Sequence, residues 1–80
     1  MEDLAWCEWI VRMHHPEVVH HLPELFDAYG ERPSWASRQD AMLAKCHEML
    51  GLFRPAGAAA TGTQRWRRNI EITRQWSELA

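Results

Sequence analysis

The sequence predicts an all-α fold, a compact bundle of about four helices forming a single domain over residues 1–80. Three observations carry this expectation. Apolar residues recur at three- and four-residue intervals in four separate stretches, no stretch alternates with period two long enough to make a strand, and Gly30, Pro33, Gly51 and Pro55 fall where the stripes stop. With 80 residues, of which 46% are apolar and 25% charged, the chain has the composition of a folding globular domain. A domain of this size buries only about 60% of the surface its unfolded chain exposes, so it gains from a partner or from self-association.

The first helix spans Leu4 to Met13. Trp6, Trp9, Ile10 and Met13 recur at helical spacing, Leu4, Cys7 and Val11 fill an adjoining face, and Glu8 with Arg12, four apart, mark the expected wet side. In the second, Val18, Leu22, Leu25, Phe26 and Tyr29 form one stripe that starts after Pro16 and runs past Pro23. Proline inside a helix removes a hydrogen bond and clashes with the preceding turn, so the second helix is expected to be kinked or split at Pro23. Gly30 and Pro33 then mark a turn. A third helix is expected to start with Ser37 and Asp40 as a capping pair and to carry Met42, Cys46, Met49, Leu50 and Phe53 until Gly51 and Pro55 end it. Residues 54–63, rich in Ala and Gly, read as a flexible connection. The last helix has Thr63 as N-cap, with Trp66, Ile70 and Thr73 on one side and Ile72, Trp76 and Leu79 beside them.

Charge is unevenly placed. Residues 1–31 hold seven acids (Glu2, Asp3, Glu8, Glu17, Glu24, Asp27, Glu31) and one base, Arg12, whereas the remainder holds eight bases and four acids. The net of -2 therefore conceals an acidic first part and a basic second part, which can attract within one molecule, between copies, or toward separate partners. The five histidines move the formal charge to +3 when all are protonated, which leaves room for a pH-dependent interaction.

Four of those histidines lie in "HHPEVVHHLPE", residues 14 to 24. Metal ligands on one helix converge at spacings of three or four, and the pairs His14/His15 and His20/His21 are five to seven apart, so no metal site is assigned. Glu17 with His21 and His20 with Glu24 are instead four apart and read as exposed pairs on a solvent face. Cys7 and Cys46 have no disulfide or zinc spacing and read as packed thiols.

No catalytic signature is present. "HEML" at His47 begins like a zinc-protease helix, but Gly51 occupies the second histidine's place, and adjacent Cys46 and His47 point to different helix faces. No enzyme activity and no cofactor are expected. The N-terminal stretch is acidic rather than signal-like and no run is long enough to span a membrane, so the expected location is cytoplasmic, with no membrane partner.

Two features point to function. Five tryptophans are more than four short helices readily enclose, and tryptophan is enriched at binding hot spots. Arg65, Arg67 and Arg68 cluster at the start of the last helix, where the helix dipole disfavours cations and an anionic neighbour is called for. The expectation is a small protein-binding module, a regulator, inhibitor or adaptor. Its contact residues are expected to be Trp66, Trp76, Arg65, Arg67, Arg68 and Trp35, together with Glu17, His20, His21 and Glu24 on the second helix. Its partner is another protein, with a homodimer held by opposite charges as one form. The alternative is a nucleic-acid-binding protein, helix-turn-helix-like, reading with the Arg-rich last helix. That alternative asks for a short turn where the sequence offers a long connection, and a pI near 6.2 also weighs against it.

Overall fold

The computed structural model describes residues 2–30, 32–53, 55 and 61–78. Among them the chain is helical throughout, with α1 Glu2–His14, a 3-10 helix Pro16–His21, α2 Leu22–Tyr29, α3 Trp35–Phe53 and α4 Thr61–Gln75. Packing divides the chain into two units, residues 1–42 and residues 43–80, with α3 passing from the first into the second.

In the first unit, α1 buries Leu4, Ala5, Glu8, Trp9 and Arg12, two adjoining rows at i, i+4 spacing. Trp6 is half-buried and stacks on Trp9 with centroids 5.3 Å apart and planes 5° from parallel. Ile10 and Met13 are also half-buried. Glu8 and Arg12 are therefore not the wet side of this helix, and Cys7, expected to be packed, is exposed. The helix closes with the His15 amide donating to the Val11 carbonyl at 2.8 Å, and Arg12 and His14 lie in its last turn, where the helix dipole favours cations.

Pro23 marks a split. The chain first makes a 3-10 helix with Pro16 in its first turn, then bends into α2, where Pro23 occupies the second position. An amide there has no intrahelical acceptor in any case, so the missing donor costs nothing. Leu22 and Phe26 pack with Leu4 of α1, and Val11, Val19 and Leu25 close over them. The 3-10 geometry also breaks the expected stripe. Advancing at about 120° per residue, four residues of 3-10 helix turn a side chain roughly 80° further than four of α-helix. Val18 is thereby swung out of line with Leu22 and is 39% exposed. Tyr29, at the other end of the stripe, is 44% exposed.

Gly30 ends α2 as expected. Its φ of 86° is left-handed, and its amide reaches the carbonyls of Phe26 (3.0 Å) and Asp27 (3.2 Å). A side chain there would sit in a conformation that costs L-residues about 1 kcal/mol. Glu31 lies outside the described residues.

Helix α3 starts earlier than Ser37. Ser34 is the capping residue: its Oγ accepts the Ser37 amide at 3.2 Å and lies 3.1 Å from the Ser37 hydroxyl. We predict that Ser34→Ala lowers stability by about 1 kcal/mol, while Ser37→Ala costs less than half of that. Urea unfolding of the two variants gives the comparison. Beyond the cap, Arg38, Met42, Cys46 and Leu50 form a buried row at intervals of four, with Met49 half-buried. The helix runs through Gly51 to Phe53 rather than stopping at the glycine.

In the second unit, α3 from residue 43 packs with α4. Thr63, Trp66, Ile70 and Thr73 are the buried side of α4, as the spacing predicted for the last three. Ile72 and Trp76 are half-buried, and Leu79 lies outside the described residues. Thr63 is not an N-cap, because the helix already includes Thr61 and the Thr63 hydroxyl is buried, donating to the Phe53 carbonyl at 3.0 Å. That bond satisfies one of the carbonyls left over at the end of α3. Gly62 lies so close to Phe53 that a Cβ would fall under 3 Å from three of its ring carbons. Cys46 Sγ lies 3.9 Å from Thr73 Oγ1, and the Thr73 hydroxyl donates to the Asn69 carbonyl at 2.7 Å. Of the connection expected over 54–63, residues 61–63 are helical, and Arg54 and residues 56–60 lie outside the described residues. No described helix is long and apolar enough to cross a membrane.

Candidate functional site

The contact residues proposed from sequence fall into three environments. The first is the 3-10 helix and the start of α2. Glu17, His20, His21 and Glu24 are all exposed here, together with His15 and Val18, and the 3-10 helix buries no residue at all. Half-buried Val19 packs against the core of the first unit and anchors this six-residue helix, although 3-10 runs longer than three or four residues are uncommon. The histidine and carboxylate partners differ from the i, i+4 expectation. His15 Nδ1 approaches Glu17 Oε1 at 3.6 Å, His21 Nδ1 approaches Glu24 Oε2 at 3.4 Å, and the His20 and His21 rings lie 4.1 Å apart. His21 stands at the junction with α2, three residues before Glu24 and within reach along the helix face, while His15 precedes the 3-10 helix and lies two residues from Glu17. These exposed contacts contribute little to stability, roughly 0–1 kcal/mol each where both groups are charged, so the cluster is a surface rather than a staple. Among the described residues no three histidine, cysteine or carboxylate side chains are grouped to hold a metal ion.

The second environment is the exposed side of α4. Arg65, Arg67 and Arg68 are exposed there, and Thr61, Gln64, Arg65 and Arg68 line an open depression along one helix face. Since α4 already includes Thr61, Arg65 sits in the second turn, beyond the strongest part of the dipole. The penalty inferred from a helix start at Thr63 is thus smaller than the sequence suggested. Arg74 Nη1 lies 3.5 Å from Glu71 Oε1, an exposed pair three residues apart.

Tryptophans make up the third, and their placement changes the picture. Trp9 and Trp66 are buried, at 3% and 8% exposure, and Trp6, Trp35 and Trp76 are half-buried. Trp66 is therefore a core ring and not an exposed anchor. Trp35 is engaged inside the first unit, with the Arg12 guanidinium 4.7 Å and the Arg38 guanidinium 5.4 Å from its ring centre.

Those two arginines belong to the feature that the sequence reading missed. Glu8 is fully buried and accepts from Arg12 Nε through Oε2 and from Arg38 Nε through Oε1, both at 2.9 Å. Arg38 also donates from Nη1 to the Pro33 carbonyl at 2.7 Å and lies 4.7 Å over the Phe26 ring. One carboxylate thus faces two guanidinium groups, and the ring faces of Trp35 and Phe26 supply further negative potential to them. A buried ion pair requires good geometry and full hydrogen bonding to offset desolvation, and no described buried side-chain nitrogen or oxygen lacks a partner. One signal for this network was present in the sequence. Helix α1 carries apolar residues on nearly every side, which leaves no solvent face for Glu8 and Arg12 to occupy.

No family model, no curated protein and no solved structure matches this chain.

Proposed function

We propose that the chain is a small protein-binding module, a regulator, inhibitor or adaptor, whose contact surface is the 3-10 helix and the start of α2. The observation that carries this reading is the 3-10 helix itself, which turns half-buried Val19 toward the core of its unit and leaves Glu17, Val18, His20 and His21 exposed together. A ridge with Val18 set among polar side chains matches the layout of transient protein interfaces, where an apolar centre is rimmed by polar groups. Helix α4, with Arg65, Arg67 and Arg68, offers a second, cationic face, and half-buried Trp76 and Trp35 can add ring area at their exposed edges. The reading assigns the chain no reaction and no cofactor, and places its action in the cytoplasm.

The test is quantitative co-purification from the source cells with one triple variant. Val18→Ser combined with His20→Ala and His21→Ala should keep its helix content and lose a protein that wild type retains by at least tenfold, equivalent to about 1.4 kcal/mol. Retention of every co-purifying protein by that variant would sink the reading. Nucleic-acid binding remains the second reading because Arg65, Arg67 and Arg68 cluster exposed on α4. It predicts an affinity for duplex DNA that falls steeply with salt and falls again when Arg65 and Arg68 become alanine.

A further inference from the structure

We propose that a second copy of this chain is one partner of these surfaces, docking the acidic face of its α2 against the cationic face of α4. This rests on the protein-binding reading above and names an occupant for its surfaces. Thr61 lies three and four residues before Gln64 and Arg65, and Arg68 lies four and three after them, so the four share one face of α4 and line its open depression. That face carries two like charges one turn apart, which repel within the chain. Among the described residues, neither Arg65 nor Arg68 has a carboxylate within ion-pair distance, whereas Arg74 on the same helix lies 3.5 Å from Glu71.

The complementary surface is on the same chain. Glu24 and Asp27 are exposed on α2, also one turn apart, and the Glu24 side chain is 79% exposed with only the His21 ring near it. Two guanidinium groups and two carboxylates at the same helical step meet in register when the two helices lie alongside each other. Each guanidinium can then donate two hydrogen bonds to a carboxylate. The acidic first part of the chain favours this occupant over a polyanion, because residues 1–31 carry six more negative than positive charges and repel densely spaced phosphates. A contact made of exposed ion pairs is weak and salt-sensitive, and that sets the experiment.

Sedimentation of the full chain over a concentration series, at about 0.02 M and about 0.5 M salt, reads the association directly. Concentration-dependent growth in mass at low salt is expected, weakening roughly tenfold or more at high salt. Arg65→Glu with Arg68→Glu should abolish it, and so should Glu24→Arg with Asp27→Arg. An equimolar mixture of the two double variants should associate again, because each then supplies the charge that the other lost. All four positions are exposed, so loss of fold does not account for this pattern. A wild type that stays monomeric at low salt overturns the inference while leaving recognition of an unlike protein standing. A mixture that fails to associate also overturns it, as does duplex DNA binding by wild type without self-association, which hands the arginines to the nucleic-acid reading.

Discussion

Glu8→Gln should destabilise the protein by about 3–5 kcal/mol, the cost of leaving buried charge without its partner. The substitution keeps the shape and one carbonyl acceptor. It removes the negative charge that Arg12 and Arg38 share at 2.9 Å, and these side chains are just 5% and 4% exposed. A domain of 80 residues has roughly 4–12 kcal/mol in all, so the variant sits near the edge of folding. Urea unfolding followed by tryptophan fluorescence gives the number, with an unchanged slope showing that the folded and unfolded states are still the same two. A companion variant separates charge from packing. Replacing Glu8, Arg12 and Arg38 together with methionine removes the buried ions altogether, and exchanges of that kind are often neutral or stabilising. The triple variant should therefore be more stable than Glu8→Gln alone. A Glu8→Gln protein within about 0.5 kcal/mol of wild type would show that the network contributes nothing.

Trp66→Ala should cost about 3–5 kcal/mol, the usual loss when a large aromatic ring is cut from a core. Trp66 is 8% exposed, one turn before Ile70 on the buried side of α4, and Thr63 and Thr73 lie along the same side. Thermal unfolding should register the change as a fall of tens of degrees, since about 1 kcal/mol shifts the midpoint of so small a domain by roughly 4–8 °C. A binding anchor at the surface behaves in the opposite way, losing partner affinity while keeping its midpoint. Trp76, half-buried near the end of the chain, is the better place to look for an anchor of that kind. A Trp66→Ala variant that melts with wild type would return this ring to the surface.

Helix positions were legible in the sequence wherever apolar period and a breaker agreed. Leu22 and Phe26 at the start and middle of α2, Gly30 at its end, Met42, Cys46 and Leu50 along α3, and Trp66, Ile70 and Thr73 on α4 all follow from spacing. Two kinds of information were not local. Ser34 rather than Ser37 caps α3 because the hydroxyl three residues upstream reaches the right amide, and either serine satisfies the pattern on paper. Glu8 and Arg12 sit at the spacing of an exposed pair, and only Arg38, 30 residues further on, turns that pair into a buried network. Short-range periodicity carries no trace of such a partner.

The candidate surface was half legible for a related reason. Glu17, His20, His21 and Glu24 are exposed as expected, but the pairings join residues two and three apart rather than four, and Pro16 with Pro23 allows either 3-10 or α winding. Val18 looked like core because α spacing aligns it with Leu22. The tighter turn exposes it, and its exposure is what gives the ridge an apolar centre.

The most direct test of the protein-binding reading is a photo-crosslinking amino acid at position 18, in the chain expressed in its source cells. The account predicts a discrete crosslinked protein product from position 18, and none from position 47, which is exposed on α3 and belongs to neither proposed surface. Crosslinks absent from position 18, or equally abundant from both positions, would contradict it.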